Sequence, residues 1–170
     1  TSIPLDNSGG TTGNGAGQTW GSRTTGARTI YEHSASNLTT YGYLYNWYAA
    51  KGIATTGSTS YKNLCPTGWH VPSDGEWTAL TTFLGGEPIA GGKMKSIGTA
   101  YWYSPNTGAT NESGFSALPG GWRRSSDGRF VDIRLHAFFW SATEFDNNYP
   151  WFRDLYFNNF SGNSDCIFFT

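Results

Sequence analysis

The sequence predicts an α+β domain in which two early helices pack on one side of a mainly antiparallel, loop-rich sheet. Three observations carry that expectation. An aromatic stretch from Tyr41 to Ala50 sets Leu44, Trp47 and Tyr48 at helical spacing, and Ser73-Asp74-Gly75-Glu76 has the form of a helix capping box. Beyond about residue 100, short strand-like runs replace helical periodicity. At 170 residues and 18.6 kDa there is room for one core.

In chain order, residues 1–27 hold no large apolar side chain beyond Ile3, Leu5 and Trp20 and read as an extended Gly/Thr-rich arm, with the domain proper over 28–170. The first helix is expected over 41–50, stopped near Gly52, and a surface loop over 51–64. The second is expected over 74–84. Its Ser73 hydroxyl accepts from the Glu76 amide while the Glu76 carboxylate reaches back to the amide of Ser73. Trp77, Leu80 and Leu84 share one face, Asp74 and Glu76 suit the positive end of the helix dipole, and Gly85-Gly86 supplies the left-handed stop. Gly91 to Lys95 reads as a short turn. Strands are expected at Phe115–Leu118, Arg129–Ile133, Ala137–Ser141, Trp151–Phe157 and Cys166–Phe169. The chain has no internal repeat.

Composition narrows the function classes. Charged residues are only 14% and the formal charge is -1, so nothing in the charge balance tracks a phosphate backbone, and nucleic acid is not an expected partner. No apolar run approaches the roughly 20 residues of a membrane-spanning helix. Aromatics reach 17%, which builds the core from rings more than from aliphatic chains. Low charge with abundant Gly, Ser, Thr and Asn suits an extracellular protein. Cys65 and Cys166 are too far apart in sequence for a metal-binding C-x-x-C. They are candidates for one long disulfide loop, worth roughly 4.7 kcal/mol in the chain-entropy model.

No catalytic constellation stands out. His33, His70 and His136 are dispersed, and His70, in the turn leading into the second helix, reads as a hydrogen-bonded structural residue. The Gly9–Gly17 run lacks the following helix and the lysine of a phosphate-binding loop. Asp127, Asp132, Glu144 and Asp146 either gather around a hard cation, making structural calcium the one cofactor to consider, or cap turns at the surface. Trp69, Trp77, Trp122 and Trp140 are assigned to the core. The segment 145–160 differs in kind, because it interleaves Tyr, Trp, Arg and Asn, the residues of adaptable contact surfaces. Asp146, Asn147, Tyr149, Trp151, Arg153, Tyr156, Asn158 and Asn159 are the candidate ligand-binding residues. In a strand over 151–157, Trp151, Arg153, Leu155 and Phe157 share one face, and Phe152, Asp154 and Tyr156 the other.

The run Leu64-Cys65-Pro66-Thr67-Gly68-Trp69-His70-Val71-Pro72-Ser73-Asp74-Gly75-Glu76-Trp77 resembles the Fibrobacter succinogenes major paralogous domain family of bacterial secreted and surface proteins. Tyr43–Ala49, Leu84–Gly86, Ala90–Lys95, Ser104–Arg123 and Phe139–Glu144 are similar to further motifs of that family in the same order. The resemblance implies a C-type-lectin-like fold, related to formylglycine-generating enzymes and to retroelement-diversified variable proteins, whose variable positions lie in the last stretch. It also implies a terminal strand after Phe169-Thr170 whose cysteine would ordinarily pair with Cys65, which leaves the Cys65–Cys166 pairing open. The paired cysteines of the formylglycine-generating relatives have no counterpart here, since Cys166 stands alone near the end. Glu87-Pro88-Ile89 is similar to the Glu-Pro motif of calcium-dependent lectins, but Ile89 offers no oxygen ligand and no Trp-Asn-Asp follows.

The expectation is therefore a non-enzymatic binding or adhesion module, extracellular or on a bacterial cell surface, recognising a protein or glycan through its C-terminal loops. Two rivals remain. One is a structural subunit of an extracellular filament or array, in which the partner is another copy of the chain. The other is a degenerate formylglycine-generating-type enzyme.

Overall fold

The computed structural model describes residues 18–52, 64–146 and 149–166, with side chains described for 20–52, 64–146 and 149–162. In order, the elements are α1 (Gln18–Gly21), β1 (Arg28–Thr29), a 3-10 turn (Tyr31–His33), α2 (Ala35–Tyr41), β2 (Leu44–Tyr45), α3 (Trp47–Ala50), α4 (Asp74–Phe83), α5 (Glu87–Met94), β3 (Trp122–Arg123), β4 (Phe130–Val131), β5 (His136–Asp146), β6 (Tyr149–Tyr156) and β7 (Gly162–Cys166). The main sheet is antiparallel in the order β5-β6-β7, and β1-β2 and β3-β4 form two smaller antiparallel pairs. The chain is thus α+β.

Local chemistry explains α4. The Glu76 amide donates to Ser73 Oγ (3.3 Å) and the Ser73 amide donates to Glu76 Oε2 (2.8 Å), which completes the capping box. His70 Nε2 approaches the other carboxylate oxygen at 2.8 Å, as a hydrogen-bonded structural residue should. The Ser73 amide, then His70, then the Ser73 hydroxyl hold the Glu76 carboxyl down at about 2. Trp77 and Leu84 are buried, Leu80 packs beside them, and Gly85 and Gly86 turn the chain at φ 103° and 95°.

The predicted turn at 91–95 is instead the second half of α5. Pro88 sits in its first turn, where a missing amide costs nothing. The two glycines are there for close approach: a Cβ on Gly91 would lie 2.1 Å from the Ser161 carbonyl oxygen, and one on Gly92 would lie 2.3 Å from that of Gly108. The expected first helix over 41–50 also gives way. Gly42 ends α2 at φ 77°, Leu44 and Tyr45 pair with Thr29 and Arg28, and α3 begins only after Asn46. Asn46 makes that break necessary, because its Oδ1 accepts from the amides of Ala49 (3.1 Å) and Ala27 (2.8 Å) while its Nδ2 donates to Thr25 O (2.9 Å).

Other expectations shift as well. Phe115–Leu118 contributes an isolated bridge, Ala117 to Lys95, and no strand. The predicted arm contains core residues, since Trp20 is 7% exposed and Ala27 is fully buried. Residues 1–17, most of the 51–64 loop and the predicted strand residues 167–169 lie outside the described residues.

The main core lies between α4, α5 and one face of the sheet, around Trp77, Leu84, Met94, Trp102 and Leu155. Beside it Lys95 is completely buried. Its ammonium donates to Thr107 O (2.9 Å), Tyr156 O (2.9 Å) and Asn159 O (2.8 Å), and burial pushes its pKa down to about 8. Lys95→Met keeps the stem but removes the ammonium that three inward carbonyls share, and should cost on the order of 2 kcal/mol of folding free energy by urea denaturation.

The capping box yields a pH prediction. The folded carboxyl of Glu76 titrates at about 2 against an ordinary 4.5, so its stabilisation is complete above 4.5 and disappears as pH falls toward 2. The stability difference between the native chain and Glu76→Gln should shrink steadily across that window in acid-titrated thermal melts.

Candidate binding surface of the hairpin

The β5-β6 hairpin carries the predicted ligand residues, and its register decides which of them reach solvent. His136 faces Tyr156 at the base, Trp140 faces Phe152 in the middle, and Asp146 faces Tyr149 at the tip, with irregularities on either side of Glu144. Bulges of this kind bend and twist a ribbon away from its sheet. The bend is fastened where it leaves the body: Ala142 N donates to Pro72 O (2.7 Å), and Asp74 N donates to Thr143 Oγ1 (3.0 Å). Glu144 pairs with Lys51. Beyond that anchor Asp146 is exposed, and Phe145, 54% exposed, meets Trp151 edge-to-face at 5.0 Å.

The eight candidate residues therefore do not form one surface. Asp146, Tyr149 and Trp151 gather at the tip, while Asn147 lies outside the described residues. Tyr156, Asn158 and Asn159 are at the base. There Tyr156 stacks on His136 at 4.2 Å, Asn158 is exposed, and Asn159 accepts from the Ser161 amide (2.9 Å). Arg153, placed on a contact face by the sequence, is 4% exposed. It forms an ion pair with Asp74 at 2.8 Å whose angle falls outside hydrogen bonding, and its Nη2 donates to Thr78 Oγ1 (3.3 Å). Its burial follows from β6 being the central strand. Leu155 faces the main core and Phe152 faces Phe138 and Trp140, so both faces are covered.

The second face of the hairpin floors a cavity of about 730 Å³ among the described residues. Phe138, Trp140 and Phe152 line it on the sheet side, and Tyr43, Tyr45 and Trp47 across from them. Trp140 Nε1 donates to Tyr45 O (2.8 Å), and its ring lies 6.0 Å from that of Trp47, which ties β2 and α3 to the sheet. Sequence reasoning gave four tryptophans to the core. Trp77 is there, but Trp122 and Trp140 are half-buried wall residues, and Trp69 is 71% exposed. The period-two spacing of Tyr43 and Tyr45 was the available signal for this wall, and it was masked by the helical spacing of Leu44, Trp47 and Tyr48.

Of the four carboxylates considered for a cation, Asp127, Asp132 and Glu144 are separately engaged, and Asp146 is exposed at the hairpin tip. Arg124 and Arg129 pair with Asp127, Asp132 Oδ2 accepts from Trp122 Nε1 (2.7 Å), and Glu144 pairs with Lys51. Among the described residues no three His, Cys, Asp or Glu groups converge as a metal site. His136 Nδ1 lies 3.2 Å from Asp154 Oδ2, an ion pair when the imidazole is protonated. Cys65 is half-buried on the cavity wall, and the Cys166 side chain lies outside the description, so their pairing does too.

Removing the counter-charge of Arg153 should be far more damaging than removing a surface charge. Asp74→Asn leaves a buried guanidinium unpaired, at a cost on the order of 3 kcal/mol. Glu112→Gln, which breaks the exposed pair with Lys93, should cost less than about 1 kcal/mol. Chemical denaturation of the two variants measures the contrast.

Against known proteins, the family model described as the Fibrobacter succinogenes major domain matches residues 7–165, and the chain belongs to that family. No curated protein and no solved structure matches it.

Proposed function

We propose that this member of the Fibrobacter succinogenes major domain family is a non-covalent binding module of a bacterial surface or secreted protein, built on a C-type-lectin-like frame. It grips a protein or a glycan through the distal end of the β5-β6 hairpin. One observation carries the reading: exposed Phe145 set edge-to-face against half-buried Trp151, flanked by Tyr149 and Asp146, at the end of a ribbon whose middle is clamped to the body. An apolar ring left in water against a half-buried neighbour loses little conformational entropy on contact and brings large area, which is how aromatic anchors act in interfaces.

Arg153 takes no direct part in this reading. Its ion pair with Asp74 fixes the ribbon relative to α4, so it positions the tip. A second reading, a subunit of an extracellular filament, draws on β7, which pairs with β6 on one side only among the described residues and so presents an open edge. Concentration-dependent assembly in size-exclusion chromatography would favour that reading over the first.

The test begins with a glycan array and a panel of extracellular-matrix proteins, followed by titration of whatever the chain retains. Phe145→Ala and Trp151→Ala should each weaken affinity by about 2 kcal/mol, or roughly 30-fold, without lowering the thermal midpoint. Native affinity in both variants moves the contact away from the hairpin tip, and turnover of a cysteine-bearing peptide would replace the binding reading with an enzymatic one.

A further inference from the structure

The loop over residues 96–106 is held more tightly than its surface position requires. Trp102 is fully buried, and its Nε1 donates to Ser96 Oγ (3.1 Å) and Ala117 O (3.1 Å). Asn106 is 5% exposed, and its Nδ2 donates to Ser96 O (3.0 Å) and Gly98 O (2.7 Å). The Tyr103 amide donates to Arg134 O (2.9 Å), and Arg134 Nη2 donates back to Thr99 O (3.1 Å). The loop is thus nailed to the body through one ring, one amide and a reciprocal pair of bonds.

The two neighbours of the buried ring point the other way. Tyr101 is 43% and Tyr103 47% exposed. Tyr41, at the end of α2, meets Tyr101 edge-on at 6.5 Å, and the Arg134 guanidinium lies 4.9 Å above the Tyr103 ring. Arg134 adopts φ 67°, a left-handed conformation that a side chain takes only when its surroundings hold it there. Among the described residues no carboxylate forms an ion pair with Arg134, and the nearby acid Asp132 is committed to Trp122 Nε1. The result is three tyrosine rings and one unneutralised cation, rigidly set and half in water.

We propose that Tyr41, Tyr101, Tyr103 and Arg134 form a second binding platform, specific for a polysaccharide that carries uronic acids. Tyrosine rings stack on the C–H faces of pyranose units, and their hydroxyls hydrogen-bond the ring substituents. The guanidinium, placed over the Tyr103 ring, pairs with the sugar carboxylate. A neutral glycan would satisfy the rings and leave the cation unmatched. The platform lies at the base of the hairpin, since Arg134 precedes β5, and so is separated from the tip by the length of that strand. It stands independently of the hairpin reading.

Isothermal titration of the full chain with hexagalacturonate and with a neutral gluco-hexasaccharide tests it. The uronate should bind at least 10-fold more tightly, and that advantage should fall as sodium chloride is raised from 50 to 500 mM, roughly as exposed ion pairs are screened. Arg134→Gln should reduce the uronate to the affinity of the neutral sugar. Because Arg134 also bonds Thr99, Tyr101→Ala serves as a second variant that spares this contact, and it should weaken the uronate about 10-fold with an unchanged melting temperature. Phe83→Ser, at an exposed residue of α4 outside both surfaces, should bind like the native chain. Absence of uronate binding, equal affinity for the neutral sugar, or native affinity in Tyr101→Ala would each overturn the platform. The hairpin is judged separately, on Phe145 and Trp151.

Discussion

The ammonium of Lys95 collects three backbone carbonyls from Thr107 in a loop, Tyr156 at the end of β6, and Asn159 beyond it, where the Thr107 amide also donates to Phe157 O (2.7 Å). Carbonyl oxygens turned inward at the ends of a strand and a loop have no ladder partner, and each is costly to bury alone. One cation with three donors answers all of them. Burial pushes its pKa down to about 8, since the charge is held by carbonyl dipoles and, among the described residues, no carboxylate pairs with it. Around this point the rest is arranged. Lys95 caps α5 and bridges to Ala117, Trp102 lays its ring 5.4 Å from the ammonium, and the glycines of α5 let Ser161 and Gly108 come close enough for the three carbonyls to converge.

That convergence also fixes the frame on which the proposed contacts sit. With its base held by Lys95 and its middle by the Arg153–Asp74 pair, β6 cannot shift register without stranding a buried charge or breaking an ion pair. Rigidity in the middle leaves the ends to vary. Surfaces set on a stiff ribbon lose little entropy on contact, which is what the proposed binding role asks of the hairpin.

How much of this was legible in the sequence depended on how local the cause was. The capping box of α4 and the Gly85-Gly86 stop lie within a few residues of the helix they bound, so Ser73 to Gly86 read correctly. The glycines of α5 read as a turn because their purpose lies with Ser161 and Gly108, which are distant in sequence. At Tyr41–Ala50 two periods overlap, and Asn46 decides between them through contacts with Thr25 and Ala27 that no window of ten residues contains. Alternation along 151–157 assigned faces correctly but carried no information on whether both were covered. Arg153 therefore read as a contact residue, when the chain uses it against Asp74.

The same reasoning explains why rings divide so unevenly here. Trp77, Trp102 and Phe152 are buried, yet Phe145, Tyr101 and Tyr103 remain in water although each is adjacent in sequence, or in contact across the ribbon, with well-packed neighbours. A domain this short of charge cannot cover every ring with lysine and glutamate stems, as more charged domains do. Trp77 and Trp102 are buried where a backbone carbonyl takes the indole N–H, and half-buried Trp140 makes the same kind of bond. Tyrosine and phenylalanine place no such demand on the interior: the hydroxyl is content in water and the phenyl ring has no polar atom. Rings of those two types can stay at the surface, and a buried anchor such as Trp102 holds its flanking tyrosines in fixed positions, the preorganisation that the proposed platform requires.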